Sequence, residues 1–332
     1  MNISLTTSVR QAPVDRIMIA SLSRLPGSVV EQLLALRPAI RQFNEGVGLR
    51  SALLYNAGWF VQWHEGTPEA VDKGWRMSEA NAGHGNTRVI HRSIGVPTLT
   101  ETLNIATLHG KDKPTDMARR LYQVESERLL GIGEEPAQVW RWLSAPAQAR
   151  PQDEVAALAR QDVLALTSED TESMDLIKAI ADRARVPVTY QRFANGDLRS
   201  RDAGAAYADL PCDGYTTRVQ ALSRRALGNS LVRLSLQQMQ RIVLLLGARA
   251  RSAENLLEAV SALIAASPTP PQVHLLGASP EVCRWAAQHL AAVPGLRLAQ
   301  MDTGLRLGAQ VDAVLGLIAG AEQDSAFPEN AT

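Results

Sequence analysis

The hydrophobic pattern of the first 110 residues alternates between the spacing of strands and the spacing of helices. Apolar residues of the first helix, from Val29 to Ile40, recur at intervals of three and four, and Pro38 is expected to kink or restart this helix. In chain order the pattern predicts strands at 16–23, 49–55, 59–64, 87–93 and 99–108, with helices at 29–40 and 68–82. This order is typical of a ferredoxin-like α+β sheet with its helices on one face, spanning residues 15–110.

The most distinctive part of this pattern is the stretch from Ser51 to Trp75. Two apolar runs flank the turn Asn56-Ala57-Gly58, which predicts a β-hairpin. Pro68 suits the first turn of the helix that follows. Alternation along the second strand places Gln62 on the face opposite Trp59 and Trp63.

The rest of the chain changes character twice. Residues 111–157 are interpreted as a helical extension and linker, in which helices within 115–143 cover an exposed sheet face and the proline-rich stretch 144–154 connects two domains. From 158 to 322, apolar runs alternate with amphipathic segments. Continuous apolar strands that alternate with helices predict an α/β domain with a mainly parallel sheet.

Composition removes several classes of protein from consideration. Lysine plus arginine and aspartate plus glutamate both number 34, so the net charge is zero and gives no overall signal for nucleic acid or anionic membranes. No run of apolar residues is long enough for a transmembrane helix, and the first 15 residues lack the apolar core of a signal peptide. The two cysteines, Cys212 and Cys283, have no paired spacing, which favours a reduced cytoplasm.

The sequence carries no motif of a common catalytic or nucleotide site. A Walker loop, a GxGxxG turn after a strand, a GxSxG elbow and an HExxH pair are all missing from it. The turns GAR at 247–249 and GAS at 277–279 follow apolar strands and precede helices, where backbone N–H groups can hold an anion. The alternative interpretation, that they are simply tight strand-to-helix turns, is preferred.

Gln62 is the polar residue of the hairpin that most invites a functional interpretation. An amide side chain offers both an acceptor and two donors, so it can pair with a heteroaromatic edge and be turned over to present the other end. From the strand alone, an ordinary exposed glutamine is the simpler interpretation. His64 and His84 are expected to come near one another in the folded sheet, in structural or surface roles.

The hairpin and the segment after it, LLYNAGWFVQWHEGTPEAV followed by HGNTRVIHR, resemble the BLUF family of blue-light sensors that use FAD. The resemblance covers roughly residues 15–110, and we recognise no family in the C-terminal half. It implies that FAD is a candidate cofactor, bound by Asn44, Gln62 and His84. In that family the glutamine lies between the flavin and a tyrosine on the first strand, and light moves an electron and a proton from the tyrosine to the flavin.

The chain departs from the family at the residue that gives up the electron. The position of the strand-one tyrosine falls at Ser21, and the segment from Thr98 to Leu108 lacks the tryptophan or methionine usual there. Tyr55, at the turn end of its strand, is not expected to reach the ring. We therefore predict that the standard photocycle is lost, and that Phe43 fills the pocket if flavin does not bind.

Three functions follow from these observations. The first is a sensory or regulatory protein, not an enzyme, that signals through contacts of its C-terminal domain with a regulatory protein or a second copy of itself. The second is an interaction or scaffold protein that kept the fold and binds no flavin. The third, an enzyme built on the C-terminal half, is least favoured because no catalytic constellation is visible in its sequence.

Overall fold

The computed structural model describes residues 12–146, 161–196, 202–212, 215–236, 239–247, 250–265, 267, 269–276, 279–291, 293, 296–300 and 306–325. These residues divide into two compact units. The first holds residues 12–107, 112–145 and 194–196, and the second holds the remaining described residues. The predicted linker at 144–154 lies mostly outside the described residues.

The first unit is built on a five-stranded sheet. Its strands are β1 (Val14–Ser23), β2 (Arg50–Asn56), β3 (Trp59–Gly66), β4 (His84–Gly95) and β5 (Leu103–His109). They lie in the order β5-β2-β3-β1-β4, with β2 parallel to β5 and the other neighbours antiparallel. Without the added edge strand β5, this is the order and direction of a ferredoxin-like sheet, as predicted from the hydrophobic pattern.

The hairpin between β2 and β3 has the turn that its sequence predicts. Ala57 and Gly58 both have positive φ, 47° and 82°. Two central residues with positive φ form the turn whose twist matches that of the flanking strands. The turn thereby fixes the register that pairs Leu53 with Gln62 and Tyr55 with Phe60.

Three helices cover one face of this sheet. They are α1 (Val29–Ala35), α2 (Arg37–Val47) and α3 (Pro68–Ala80). The predicted first helix is thus two, and the second restarts with Pro38 in its first turn. Gly48 ends α2 in the left-handed conformation at φ 72°, and Thr67 caps α3 by accepting a hydrogen bond from the N–H of Ala70.

Two further helices, α4 (Pro114–Leu129) and α5 (Pro136–Ser144), pack on the other face. Trp140 of α5 is 1% exposed and its ring centre lies 6.0 Å from that of Trp63 on β3. The buried Arg16 of β1 forms an ion pair with Glu135 at the start of α5. Helices between 115 and 143 therefore cover this face, as the sequence predicts.

The second unit is an α/β structure. Its strands are β6 (Gln161–Ser168), β7 (Thr189–Asn195), β8 (Ala203–Cys212), β9 (Tyr215–Ser223), β10 (Arg241–Leu245), β11 (Gln272–Leu276) and β12 (Arg297–Gln300). Strands β12, β11, β10, β6 and β9 are neighbours in that order and all parallel, while β8 pairs antiparallel with β9 and β7. A mainly parallel sheet was predicted, but strand β8 was not.

The helices of this unit are α6 (Glu172–Ala184), α7 (Arg224–Leu227), α8 (Ser230–Leu236), α9 (Ala250–Ala265), α10 (Pro280–Leu290) and α11 (Leu307–Ser325). Helices α6 and α11 share one buried cluster with the sheet, which includes Ile177, Val219, Val243 and Val314. None of the helices in the described part of the chain combines the length and the apolar character needed to cross a membrane.

Some predicted boundaries in the first unit were wrong. Strand β4 begins at His84 rather than 87, so His84 lies inside the strand and not in the loop before it. Strand β5 begins at Leu103 rather than 99. Leu99 is buried nonetheless, and its N–H donates to the carboxylate of Glu65 on β3. Its apolar character reflects burial of an irregular segment and not strand pairing.

Candidate functional site

Gln62 lies at the middle of the first unit's sheet. It is on β3, between β2 and β1, and is only 6% exposed. Alternation along the strand turns Gln62 and Phe60 toward α1–α3, while Trp63 turns toward α5. The simpler interpretation of Gln62 as an exposed strand residue is therefore wrong.

The side-chain amide of Gln62 is held at both ends. Ser78 of α3 donates its hydroxyl proton to Oε1 of Gln62 at 2.7 Å, and Nε2 of Gln62 lies 3.5 Å from Nδ1 of His84. The same hydroxyl also lies 3.0 Å from the carbonyl oxygen of Gly74. Because a serine hydroxyl has one proton, it can serve only one of these acceptors fully at a time.

His84 joins this amide to strand β1. Its Nδ1 lies 2.6 Å from the hydroxyl oxygen of Ser21, which is fully buried. Burial lowers the pKa of His84, so the neutral imidazole is favoured near pH 7. Ser21, Gln62, Ser78 and His84 thus form one cluster of hydrogen-bonding side chains, which we call the Gln62 cluster.

Asn44 lies apart from this cluster, on α2. It is 1% exposed and its Nδ2 donates to the carbonyl oxygen of Thr102 at 2.9 Å. Its Oδ1 is buried and has no partner among the described residues. Of the three residues expected to bind a cofactor, the structure therefore brings Gln62 and His84 together and leaves Asn44 with a buried acceptor that is not satisfied.

Aromatic rings run from this cluster across the sheet. The ring of Phe60 lies 5.0 Å from that of His84 and 5.3 Å from that of Tyr55, measured between centres. Tyr55 is half-buried and packs on the same helix-covered face as Gln62. Because Tyr55 lies near the turn, it was not expected to reach the ring, and its contact with Phe60 was not predicted.

Apolar side chains pack beside the cluster, between α2, α3 and β1. Phe43, Val47, Trp75 and Val89 are partly buried against a core of residues from β1, α3 and the position just before β2. That core consists of Ile17, Ile19, Leu49, Ala70 and Val71. Phe43 therefore contributes to the packing of this region.

The structure describes the other predicted sites only in part. Residues 248–249 and 277–278 of the two glycine turns lie outside the described residues. The described Ser279 caps α10 by accepting a hydrogen bond from the N–H of Val282. In the part of the chain that the structure describes, no three His, Cys, Asp or Glu side chains are grouped as metal ligands.

No family model matches the chain, and no curated protein matches it. Among solved structures it is similar to BlsA in its ground state, with 17% identity, a TM-score of 0.30, and coverage of 44% of this chain and 99% of BlsA. It is also similar to BlrB, a BLUF protein in its dark state, with 22% identity, a TM-score of 0.26, and coverage of 36% and 88%. A bacterial light-regulated adenylyl cyclase gives 12% identity, a TM-score of 0.25, and coverage of 62% and 77%.

BLUF proteins are thus among the solved structures that this chain resembles. The TM-scores are all too low to establish a shared fold. We draw no conclusion about function from them.

Proposed function

We propose that the protein is a sensory or regulatory protein whose first unit binds a flavin, FAD being the candidate, beside the Gln62 cluster. The observation that supports this most is the buried amide of Gln62, which contacts α3 through Ser78 and β4 through His84. An amide that turns over exchanges its donor and acceptor ends. A local exchange of this kind can bias an element with two arrangements, which is the usual basis of a switch.

The residues present fit a flavin ring at one edge. The side-chain carbonyl oxygen of Asn44 is buried and has no partner among the residues that the structure describes, and an imide N–H of a ring would satisfy it. Asn44, Gln62 and His84 are the residues that would hold the ring. A bound flavin would supply absorption of blue light and acceptance of an electron.

The residue at the position of the electron donor does not fit the standard photocycle. Ser21 holds the place of the strand-one phenol, and its hydroxyl contacts His84 instead. An aliphatic alcohol has no π-system and is far harder to oxidise than a phenol. We therefore propose that light does not produce the red shift typical of the family. Tyr55 is a phenol, but its ring contacts the ring of Phe60 and does not occupy the strand-one position.

A second candidate function is an interaction or scaffold protein without flavin. The observation in its favour is the packing of Phe43 and Trp75 against the core beside the Gln62 cluster. Cores contain few voids, so side chains that pack there compete with a ring for the same space. In this case the Gln62 cluster is a buried polar network that serves stability alone.

An absorption spectrum of the purified full chain, before and after incubation with FAD, separates the two functions. Flavin binding is expected to give a structured band in the blue that remains after gel filtration. Asn44→Leu is expected to reduce the retained flavin, whereas Glu45→Gln, the exposed neighbour on α2, is the matched control. If no flavin is retained under any condition, the function without flavin is favoured.

Illumination of the protein loaded with flavin tests the photocycle. We expect quenching or reduction without a reversible red shift. A reversible shift in the unmodified protein would show that Ser21 is no obstacle. Ser21→Tyr is a demanding variant because Ser21 is fully buried against His84, so its fold is checked by circular dichroism first.

The second unit is proposed to carry the signal to a regulatory protein or to a second copy of the chain. The sequence of this unit contains no catalytic motif that would favour an enzyme instead. Light scattering on dark and illuminated samples measures whether self-association follows the state of the first unit. A constant mass in both states would favour a separate partner.

A further inference from the structure

His64 is a buried histidine on the same face of the sheet as Gln62. It lies two residues further along β3 and is 2% exposed. Helix α3 passes directly over both side chains, because a Cβ added to Gly74 would lie 3.6 Å from Cδ2 of His64, and Ser78, one turn later, contacts Gln62. His64 therefore belongs to the same layer between sheet and helices as the Gln62 cluster.

One ring nitrogen of His64 is held and the other is not. Nδ1 lies 2.7 Å from the hydroxyl oxygen of Ser51 on β2. Nε2 is buried and has no hydrogen-bond partner among the described residues. Burial lowers the pKa of His64 to about 4, so the ring is neutral near pH 7 and one nitrogen carries the proton. A buried polar atom without a partner costs free energy that a ligand can recover.

A short chain of hydrogen bonds connects His64 to Asn44. The backbone N–H of Ser51 donates to the carbonyl oxygen of Thr102 at 3.1 Å, and Nδ2 of Asn44 donates to the same oxygen at 2.9 Å. The backbone nitrogen of Ser51 and Nδ2 of Asn44 are thus separated by no more than the sum of these two distances. Ser51 then holds His64 through its side chain. Asn44 and His64, at the two ends of this chain, each present a buried polar atom that has no partner in the described part of the chain.

We propose that His64 is a further ligand-binding residue of the site beside Gln62, and that Asn44 and His64 together select a planar ring with a cyclic imide edge. The inference rests on the proposed function, since flavin is one such ring. Oδ1 of Asn44 accepts the imide N–H, and the Nε2–H of His64 donates to the adjacent carbonyl oxygen. Ser51 is a positioning residue, because its hydroxyl donates to Nδ1 and leaves the proton on Nε2.

The combination of an acceptor on Asn44 and a donor on His64 limits which rings fit. One N–H of the Asn44 amide is used on Thr102, and Oδ1 has no partner among the described residues, so a ligand that satisfies Oδ1 must bring an N–H. The proton on Nε2 of His64 must then meet an acceptor. A cyclic imide offers an N–H beside a carbonyl oxygen. An adenine edge offers its amino group beside a ring nitrogen, so it is the rival that an experiment must separate.

Binding of four probes to the full chain tests this proposal. Riboflavin and lumazine have the imide edge, N3-methylriboflavin lacks the imide N–H, and adenosine presents the rival edge. We expect riboflavin and lumazine to bind, and both N3-methylriboflavin and adenosine to bind far more weakly. His64→Leu is expected to weaken riboflavin binding roughly tenfold, the effect of losing about one hydrogen bond.

Two other variants separate an effect on ligand recognition from an effect on folding. His64→Gln keeps an N–H donor and is expected to restore much of the binding. His91→Leu changes another buried histidine of the same sheet, on β4, and is expected to leave binding unchanged. NMR of ¹⁵N-labelled histidine is expected to show the Nε2–H tautomer for His64, and loss of that preference in Ser51→Ala.

The outcomes distinguish this inference from the function on which it rests. If riboflavin binds equally well to the unmodified protein and to His64→Leu, the role of His64 is refuted while flavin binding stands. If lumazine binds in a manner that depends on His64 and riboflavin does not bind, the flavin function fails and the imide site stands. Binding of neither imide, or tighter binding of adenosine or N3-methylriboflavin, overturns the proposal.

Discussion

The hydroxyl oxygen of Ser21 lies 2.6 Å from Nδ1 of His84, at the point where strands β1 and β4 run side by side. Nε2 of Gln62 approaches the same nitrogen from the strand on the other side of β1. His84 on β4 is thus contacted by side chains from two other strands, β1 and β3.

Replacing Ser21 by alanine is expected to destabilise the first unit by about 1 kcal/mol, the usual net value of one buried hydrogen bond. The side chain removed is small, so little cavity energy adds to this. Chemical denaturation followed by tryptophan fluorescence measures the change. Ser23→Ala is the control, because Ser23 is half-buried and accepts only a long bond of 3.4 Å from the N–H of Leu25. Equal effects in both variants would contradict a special role for the contact with His84.

The bond between Ser78 and Gln62 can be measured as a coupling energy. Ser78→Ala leaves the buried carbonyl of Gln62 without its 2.7 Å donor, and Gln62→Leu leaves the serine with only Gly74. A double-mutant cycle is expected to give a coupling of about 1 kcal/mol, since residues in direct contact are not additive. A coupling near zero would mean that Ser78 prefers the carbonyl of Gly74 in solution.

The sequence predicted most of the first unit because its signals agree with one another. The turn at Ala57-Gly58 and the alternation of β3 both place Gln62 on the helix-covered face. It did not predict Ser78, because a serine inside a helix has no pattern that marks its partner. Its place four residues after Gly74, on the buried side of α3, is the signal that was available.

Two other failures have separate physical causes. Strand β8 has the sequence AGAAYADLPC, in which alanine, glycine and proline have low strand propensity, and only pairing with β7 and β9 makes it a strand. The surface alternative for His64 was wrong, because its ring is 2% exposed, and sequence alone does not show that Gly74 of α3 lies over it. Burial of a polar side chain depends on the tertiary structure, and a local pattern does not report it.

Trp140 is expected to anchor α5 to the sheet. It is 1% exposed and packs against Trp63, whereas Trp142 on the same helix is 38% exposed. Trp140→Ala should cost about 3–5 kcal/mol, the range for truncating a buried tryptophan. Trp142→Ala, the matched control, should cost much less, because its ring is largely exposed and lies beside the guanidinium of Arg120. Thermal unfolding of the two variants gives the comparison.

Limited proteolysis is expected to cut the chain between about 144 and 156. The prediction rests on the proline-rich, polar sequence of that stretch, since such linkers are common cleavage sites. Mass spectrometry of the fragments identifies the position. A fragment that resists digestion and spans the whole stretch would count against two domains joined there.

The stability of the protein is expected to fall as pH is lowered from about 6.5 toward 4. Burial lowers the pKa of His64, His91 and His274 to about 4, and for His274 the nearby Arg241 contributes as well. Histidines in the unfolded chain take up protons near pH 6.5. Below that value the unfolded state therefore binds more protons than the folded state, and stability is lost as pH falls.

The size of this effect is tested most cleanly on His274, which lies in the second unit and is 3% exposed. At pH 5.5 the unfolded histidine gains about 1.4 kcal/mol by protonation, a term that the folded state does not share. His274→Leu removes this term, and it also removes a buried Nε2 that has no partner in the described residues. We expect the variant to be no less stable than the unmodified protein at pH 7.5, and more stable than it at pH 5.5. Urea unfolding at both pH values measures this, and an equal difference at the two values would show that His274 binds its proton as readily folded as unfolded.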